Sequence, residues 1–92
     1  MAPFSNPKVV CIEAGASSVL NITFTNGETR KFDVAPYLNK GVFVELKDPA
    51  YFRAVRAVAG SIEWPNGQDF SYDTLYLLSV PADSKAAARQ SR

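Results

Sequence analysis

Asn26-Gly27 lies between two stretches that alternate apolar and polar residues, and this combination constrains the fold more than any other part of the chain. From Ser18 to Thr25, Leu20, Ile22 and Phe24 fall on one face and Val19, Asn21, Thr23 and Thr25 on the other, the two-residue period of a half-buried strand. The Asn-Gly pair is a strong short-range hairpin signal, and beyond it Glu28 to Val34 puts Arg30, Phe32 and Val34 on one face. Parity then selects the loop. A two-residue loop would set Ile22 opposite Lys31 and Leu20 opposite Asp33, apolar against charged. A three-residue loop, Thr25-Asn26-Gly27, sets Phe24 opposite Glu28 and Leu20 opposite Phe32. It keeps the apolar faces together and uses Gly27 in the left-handed conformation of a G1 bulge. The three-residue loop is therefore expected.

The β-branched run Val9-Val10-Cys11-Ile12, broken at Gly15, reads as another strand, with Cys11 expected as a small buried hydrophobe. Ala35-Pro36-Tyr37-Leu38 ends the hairpin's second strand in a turn, because proline has no ladder donor. Val42 to Leu46 is a short apolar segment after Gly41. Asp48-Pro49 is a helix start, with Asp48 at the N-cap and Pro49 in the first helical position. Periodicity alone, through Tyr51, Phe52, Val55, Val58 and Ala59, runs that helix to Ala59. Ser61 to Trp64 is a strand and Pro65-Asn66-Gly67 a turn; Ser71 then caps a last short helix in which Leu75 and Leu78 pack inward with Tyr72 or Tyr76. The expected fold is α+β: an antiparallel sheet of four or five strands, covered on one face by two short helices.

With 92 residues the chain carries one core, and 47% hydrophobic against 21% charged residues argues against wholesale disorder. The expected folded domain is residues 8 to 80. Residues 1 to 7, with Pro3 and Pro7, and residues 81 to 92, with no large apolar side chain, are expected as flexible termini. Lys85, Arg89 and Arg92 against Asp83 give that tail +2 (3 minus 1), leaving −1 on the rest (7 basic, 8 acidic). The opening residues lack the basic cluster and apolar core of a signal peptide, and no apolar run reaches the roughly 20 residues of a membrane span. A cytoplasmic location is expected.

There is no His and a single Cys. A four-ligand zinc site, a Ser-His-Asp triad and a Cys-His pair are therefore beyond this chain, and an intramolecular disulfide needs a second cysteine. A carboxylate site for a hard cation stays open. Net charge of +1 gives no bulk attraction to nucleic acid, and neither glycine-rich phosphate fingerprint is present. No cofactor and no metal are expected.

Trp64-Pro65-Asn66-Gly67-Gln68-Asp69 is the cluster that best suits binding: the indole of Trp64, the amide of Asn66 and the carboxylate of Asp69 suit a peptide strand or a small polar ligand. The structural reading of the same residues, a turn with Trp64 in the core and Asp69 on free backbone donors, outweighs it. Asp33, Asp69 and Asp73 supply the carboxylates for acid/base chemistry, against the stronger expectation that Asp33 ends a strand and Asp73 sits at the positive end of the last helix. Arg53, Arg56, Arg30 and Lys31 suit phosphate contacts, but the intervening Glu28, Asp33 and Asp48 make a mixed solvated surface the better reading.

The landmarks Phe24-Thr25-Asn26-Gly27, Phe32-Asp33-Val34, Pro36-Tyr37-Leu38, Phe43 and Leu46 are followed by Asp48-Pro49 with Phe52 and Val55. Trp64-Pro65-Asn66-Gly67, Asp69 and Leu75-Tyr76 complete the series. Their order and spacing over residues 8 to 78 resemble the bacterial domain-of-unknown-function family 2442. The resemblance implies a small α+β domain, in some members joined to a helix-turn-helix segment that this chain does not show. It also implies a helix ending near Val55, with Arg56 to Val58 extended and turning at Ala59-Gly60, and this boundary is adopted over the periodic one. Many members are encoded beside another small protein, as in toxin–antitoxin pairs, and the family supplies no catalytic residues to carry over. The expected function is thus a non-catalytic protein-interaction module, not an enzyme, whose partner is a small protein encoded by a neighbouring gene. The alternatives are an accessory regulator touching nucleic acid through its Arg residues and tail and, weaker, a carboxylate-based enzyme.

Overall fold

The structure, a computed structural model, describes residues 6–15 and 17–82. The central hairpin joins β2 (Val19–Phe24) to β3 (Thr29–Asp33) through the three-residue loop that parity selects. Leu20 faces Phe32 and Thr23 faces Thr29, while Phe24 N–H donates to Glu28 O and Gly27 N–H to Phe24 O, both at 2.9 Å. Gly27 has φ 89°, and a Cβ there would meet nothing within 4 Å. The cost of a side chain is then that of the left-handed backbone alone. Gly27→Ala is expected to lose about 1 kcal/mol, read as a lowered urea midpoint; an unchanged midpoint would contradict the bulged loop.

β1 (Val9–Ala14) pairs antiparallel with β2 on its other edge. Its register shifts between Val9 and Cys11, so the alternation changes phase: Val9 faces the core, and Ile12 and Ala14 pack against it. Cys11 is consequently exposed, which corrects the buried position expected for it. Such a bulge is invisible in a run of β-branched residues because either phase reads as apolar.

The fourth strand of this sheet is β7 (Val80–Pro81), antiparallel to β3 in the order β1-β2-β3-β7. Pro81 lies opposite Arg30, tolerated because an edge strand needs no outward donor, and Ala82 N–H donates to Thr29 O at 2.9 Å. The sheet therefore runs past the boundary expected at residue 80. At the other boundary, Asn6 Nδ2 donates to Asp73 Oδ1 at 3.0 Å. Residues 1–5 and 83–92, the rest of the expected flexible termini, lie outside the described residues.

The remaining strands form a second sheet rather than extending the first: β4 (Arg56–Val58), β5 (Ser61–Glu63) and β6 (Asp69–Phe70), all antiparallel. The domain is α+β with a four-stranded antiparallel sheet and short helices, as expected, and the second, three-stranded sheet is an addition to that layout. β6 and β7 have two residues each, too few for an alternating pattern to reveal. Helix α1 (Pro49–Phe52) is a single turn, capped by Asp48, whose Oδ1 accepts from Ala50 N–H at 3.0 Å. It stops well before Ala59, as the family resemblance implies, and Ala59 (φ 52°) with Gly60 (φ 86°) makes the β4–β5 turn. Before α1, Gly41–Lys47 forms a 3-10 helix, whose three-residue repeat brings Phe43 and Leu46 to the same side, where Leu46 is buried and Phe43 packs on the core.

Both sheets and the helices share one core. Leu20, Ile22, Phe24, Phe32 and Val34 come from the first sheet and its end, and Ile62, Trp64 and Phe70 from the second, closed by Leu46, Phe52 and Leu75. In α2 (Tyr72–Leu78), capped by Ser71 through Thr74 N–H, Leu75 is buried but Leu78 is 60% exposed. This corrects the inward Leu78 that helical spacing suggests. The chain leaves the helix at Ser79 in extended conformation, so no following turn covers Leu78. Ser79 is itself buried and receives Arg30: Nε donates to Ser79 Oγ and an Nη to Ser79 O, both at 2.7 Å.

Arg30 also lies 4.7 Å over the Tyr76 ring and 3.6 Å from Glu28. The Tyr76 hydroxyl, then Asn26 and Arg30, hold the Glu28 carboxyl below the usual glutamate range. A carboxyl whose folded pKa is lowered stabilises the fold above its unfolded pKa and loses that contribution as pH falls through the folded one. The melting-temperature difference between the native chain and Glu28→Gln should therefore shrink as the solution is acidified below the ordinary glutamate range. A difference that stays constant would mean Glu28 is not linked to folding.

Candidate functional site

The second hairpin repeats the architecture of the first. Gly67 N–H donates to Trp64 O at 2.9 Å and Trp64 N–H to Gln68 O at 2.8 Å, with Gly67 at φ 100°. Pro65-Asn66-Gly67 thus corresponds to Thr25-Asn26-Gly27, a three-residue loop with a left-handed glycine in third place. The fold places a large aromatic residue, Phe24 or Trp64, immediately before each loop and inside the core.

Trp64 has no exposed surface. Its Nε1–H donates to Phe52 O at 2.9 Å, satisfying a carbonyl at the end of α1, and its ring lies 6.0 Å from that of Phe52 and 6.1 Å from that of Phe70. The indole serves the core, so a ligand reaching the loop meets other side chains.

Those side chains form a closed polar network. Gln68 is only 3% exposed; its Nε2 donates to Val42 O at 2.9 Å and to Glu45 Oε1 at 2.6 Å. Its Oε1 accepts from the Tyr51 hydroxyl at 2.6 Å, and that hydroxyl oxygen accepts from Asn66 N–H at 2.8 Å. Asn66 Nδ2 donates to Glu45 Oε2 at 2.9 Å. The hairpin is thereby riveted to the 3-10 helix and to α1, and both Glu45 oxygens are occupied. Asn66 is exposed and keeps one carbonyl oxygen toward solvent; Asp69 is exposed, and its carboxylate makes no hydrogen bond among the described residues. The expected anchor of the loop was Asp69; the observed anchor is Gln68. Gln68, Glu45 and Tyr51 are thus the site residues that sequence reasoning missed. Only the position of Gln68, directly after the left-handed glycine, hints at its part.

The other candidates disperse. Asp33 Oδ1 accepts from Ala35 N–H at 2.9 Å, and Asp73 lies in the first turn of α2, bonded to Asn6. Among the described residues, no three or more His, Cys, Asp or Glu side chains gather in a way that holds a metal ion. Of the basic residues, Lys31 Nζ donates to Asn21 Oδ1 at 2.7 Å, Arg56 pairs with Glu63 at 3.3 Å, and Arg30 is held by Ser79. Arg53 stays exposed without a carboxylate partner among the described residues. No helix among the described residues is long and apolar enough to cross a membrane.

Comparison with known proteins matches this arrangement to others. A solved structure described as "Putative DNA Binding Protein NE0471 from Nitrosomonas europaea ATCC 19718" superimposes with a TM-score of 0.70 at 32% identity, over 79% of this chain and 48% of that one. The present chain therefore spans about half the length of that protein. No curated protein matches the chain. The model of the family described as "Protein of unknown function (DUF2442)" matches residues 9–81, from the first residue of β1 to the last of β7. That span takes in both bulged hairpins, the capped single-turn helix and the buried Trp64, and the chain belongs to this family.

Proposed function

We propose that the chain is a non-catalytic cytoplasmic interaction module that binds another small protein, the product of a neighbouring gene, and acts as the neutralising half of the pair. One observation carries the reading. Leu77 and Leu78, 66% and 60% exposed, end α2, and Val80, 39% exposed, follows on the two-residue edge strand β7. Exposed apolar side chains beside a short open strand edge suit docking of a protein partner. The carboxylates considered for an enzyme support the same reading: Asp33 and Asp73 are bonded within the fold, and the unbonded Asp69 does not gather with them into one cluster among the described residues.

Co-expression with the product of the adjacent gene tests it. The native chain should co-purify with that protein, and Leu77→Asp combined with Leu78→Asp should abolish co-purification while leaving the melting temperature nearly unchanged, since neither side chain is in the core. Undiminished co-purification of the double variant would place the contact elsewhere, and failure of the native chain to co-purify would end this reading.

A second reading, an accessory regulator touching nucleic acid, is favoured by the description of the Nitrosomonas europaea protein. Its basic tail lies outside the described residues. A mobility shift on duplex DNA that weakens steeply with salt, in the absence of any protein partner, would support it over the first.

A further inference from the structure

Gly15, Ser17 and Ser18, at the end of β1 and the start of β2, and the segment from Leu46 to Arg53 line a groove of about 290 Å³. Leu46 and Phe52, both buried, form its floor, and Ser17, Ser18, Lys47 and Arg53 stand around it. Ser17 and Ser18 both have positive φ, 58° and 66°, a conformation that L residues with side chains adopt at a cost. Neither serine hydroxyl has a hydrogen-bond partner among the described residues, and Lys47 and Arg53 have no carboxylate partner there. No carboxylate lines the groove among the described residues. Two cationic residues and two serines therefore line one small concavity with no acidic residue among its described lining, in a chain whose other described cations are engaged by Asn21, Ser79, Glu63 or aromatic faces.

We infer that this groove binds a phosphate group, held by Arg53 and Lys47 and by the hydroxyls of Ser17 and Ser18. The donor set favours a multi-oxygen anion: a guanidinium fork, an ammonium and two hydroxyls match several acceptor oxygens at once. The volume of about 290 Å³ lies just below the range of about 300–1,000 Å³ usual for small-molecule pockets. It fits a phosphate on a small body resting on Leu46 and Phe52, not a large cofactor. The same group arrives either on a free nucleotide or in a nucleic-acid backbone. This inference is independent of the protein-partner reading, which rests on different residues, Leu77, Leu78 and Val80.

Two-dimensional amide NMR of the full chain tests it. Thymidine 5′-monophosphate should shift the amides of Ser17, Ser18, Lys47 and Arg53 in a saturable way, whereas thymidine, lacking the phosphate, should not. The double variant Lys47→Gln, Arg53→Gln should weaken the apparent affinity at least tenfold with an unchanged melting temperature, since both side chains are exposed. A short DNA duplex forms the second arm: shifts at the same four residues, lost in the double variant, assign the phosphate to a nucleic-acid backbone, and saturation by the mononucleotide alone assigns it to a free ligand. Shifts absent in both arms, spread over other surfaces, or unaltered in the double variant would overturn the site.

Discussion

Trp64→Ala should destabilise the fold by about 3–5 kcal/mol, a large part of the total stability of so small a domain. The side chain has no exposed surface, contacts the rings of Phe52 and Phe70, and lies where both sheets meet α1. Its truncation leaves a cavity that the surrounding strands cannot close without losing their pairing. Phe52 O also loses the 2.9 Å bond from the indole. Trp64→Phe, which retains a ring and loses that bond, should fall between the native chain and the alanine variant. Thermal melting followed by circular dichroism reads all three. A fully stable Trp64→Ala would require the indole to lie outside the core, and its loss of partner binding while folded would restore it as a surface anchor.

Gln68→Leu should cost about 2–3 kcal/mol, although leucine is the more hydrophobic residue. The buried amide serves Val42 O, Glu45 and the Tyr51 hydroxyl together, and leucine removes all three bonds at once. Asn66→Ala should cost far less, because Asn66 is exposed and solvent replaces its side-chain bond to Glu45. The ordering of the two variants in urea denaturation is the informative result. Equal losses would mean the network opens to water and does not rivet the loop.

What could be read from the residues, and what could not, follows from the range over which each signal acts. The β2–β3 loop was legible because parity is local: Leu20 and Phe32 share a face only in one register. The Asp48 cap and the strand at Ser61 to Trp64 were legible for the same reason. The bulge at Val9 and Cys11 was not, because a run of four apolar residues reads the same in either phase. The inward Leu78 failed because helical spacing does not say where a helix stops being covered. At the site, the burial of Trp64 was the favoured structural reading, yet the clamp by Gln68 was hidden. Its partners come from residues 17 to 26 positions away, and no spacing rule links a glutamine to a carbonyl across such a distance.

The two-residue strand β7 has a kinetic consequence. Its partner β3 meets β2 across three loop residues, a hairpin that closes on the microsecond scale. β7 instead meets β3 only after a stretch of 49 residues has been gathered, as the Arg30–Ser79 bonds show, and a long loop closes at a greater entropic cost. A pairing of only two rungs closed across so long a stretch is expected among the first to be lost in a fluctuation. Amide protons along the β1–β2 and β2–β3 ladders are then protected by the stability of the whole domain. Those of Lys31 and Val80 report only the opening of this short seam, so the fold has a slow-exchanging centre with a fast-exchanging selvedge along β3.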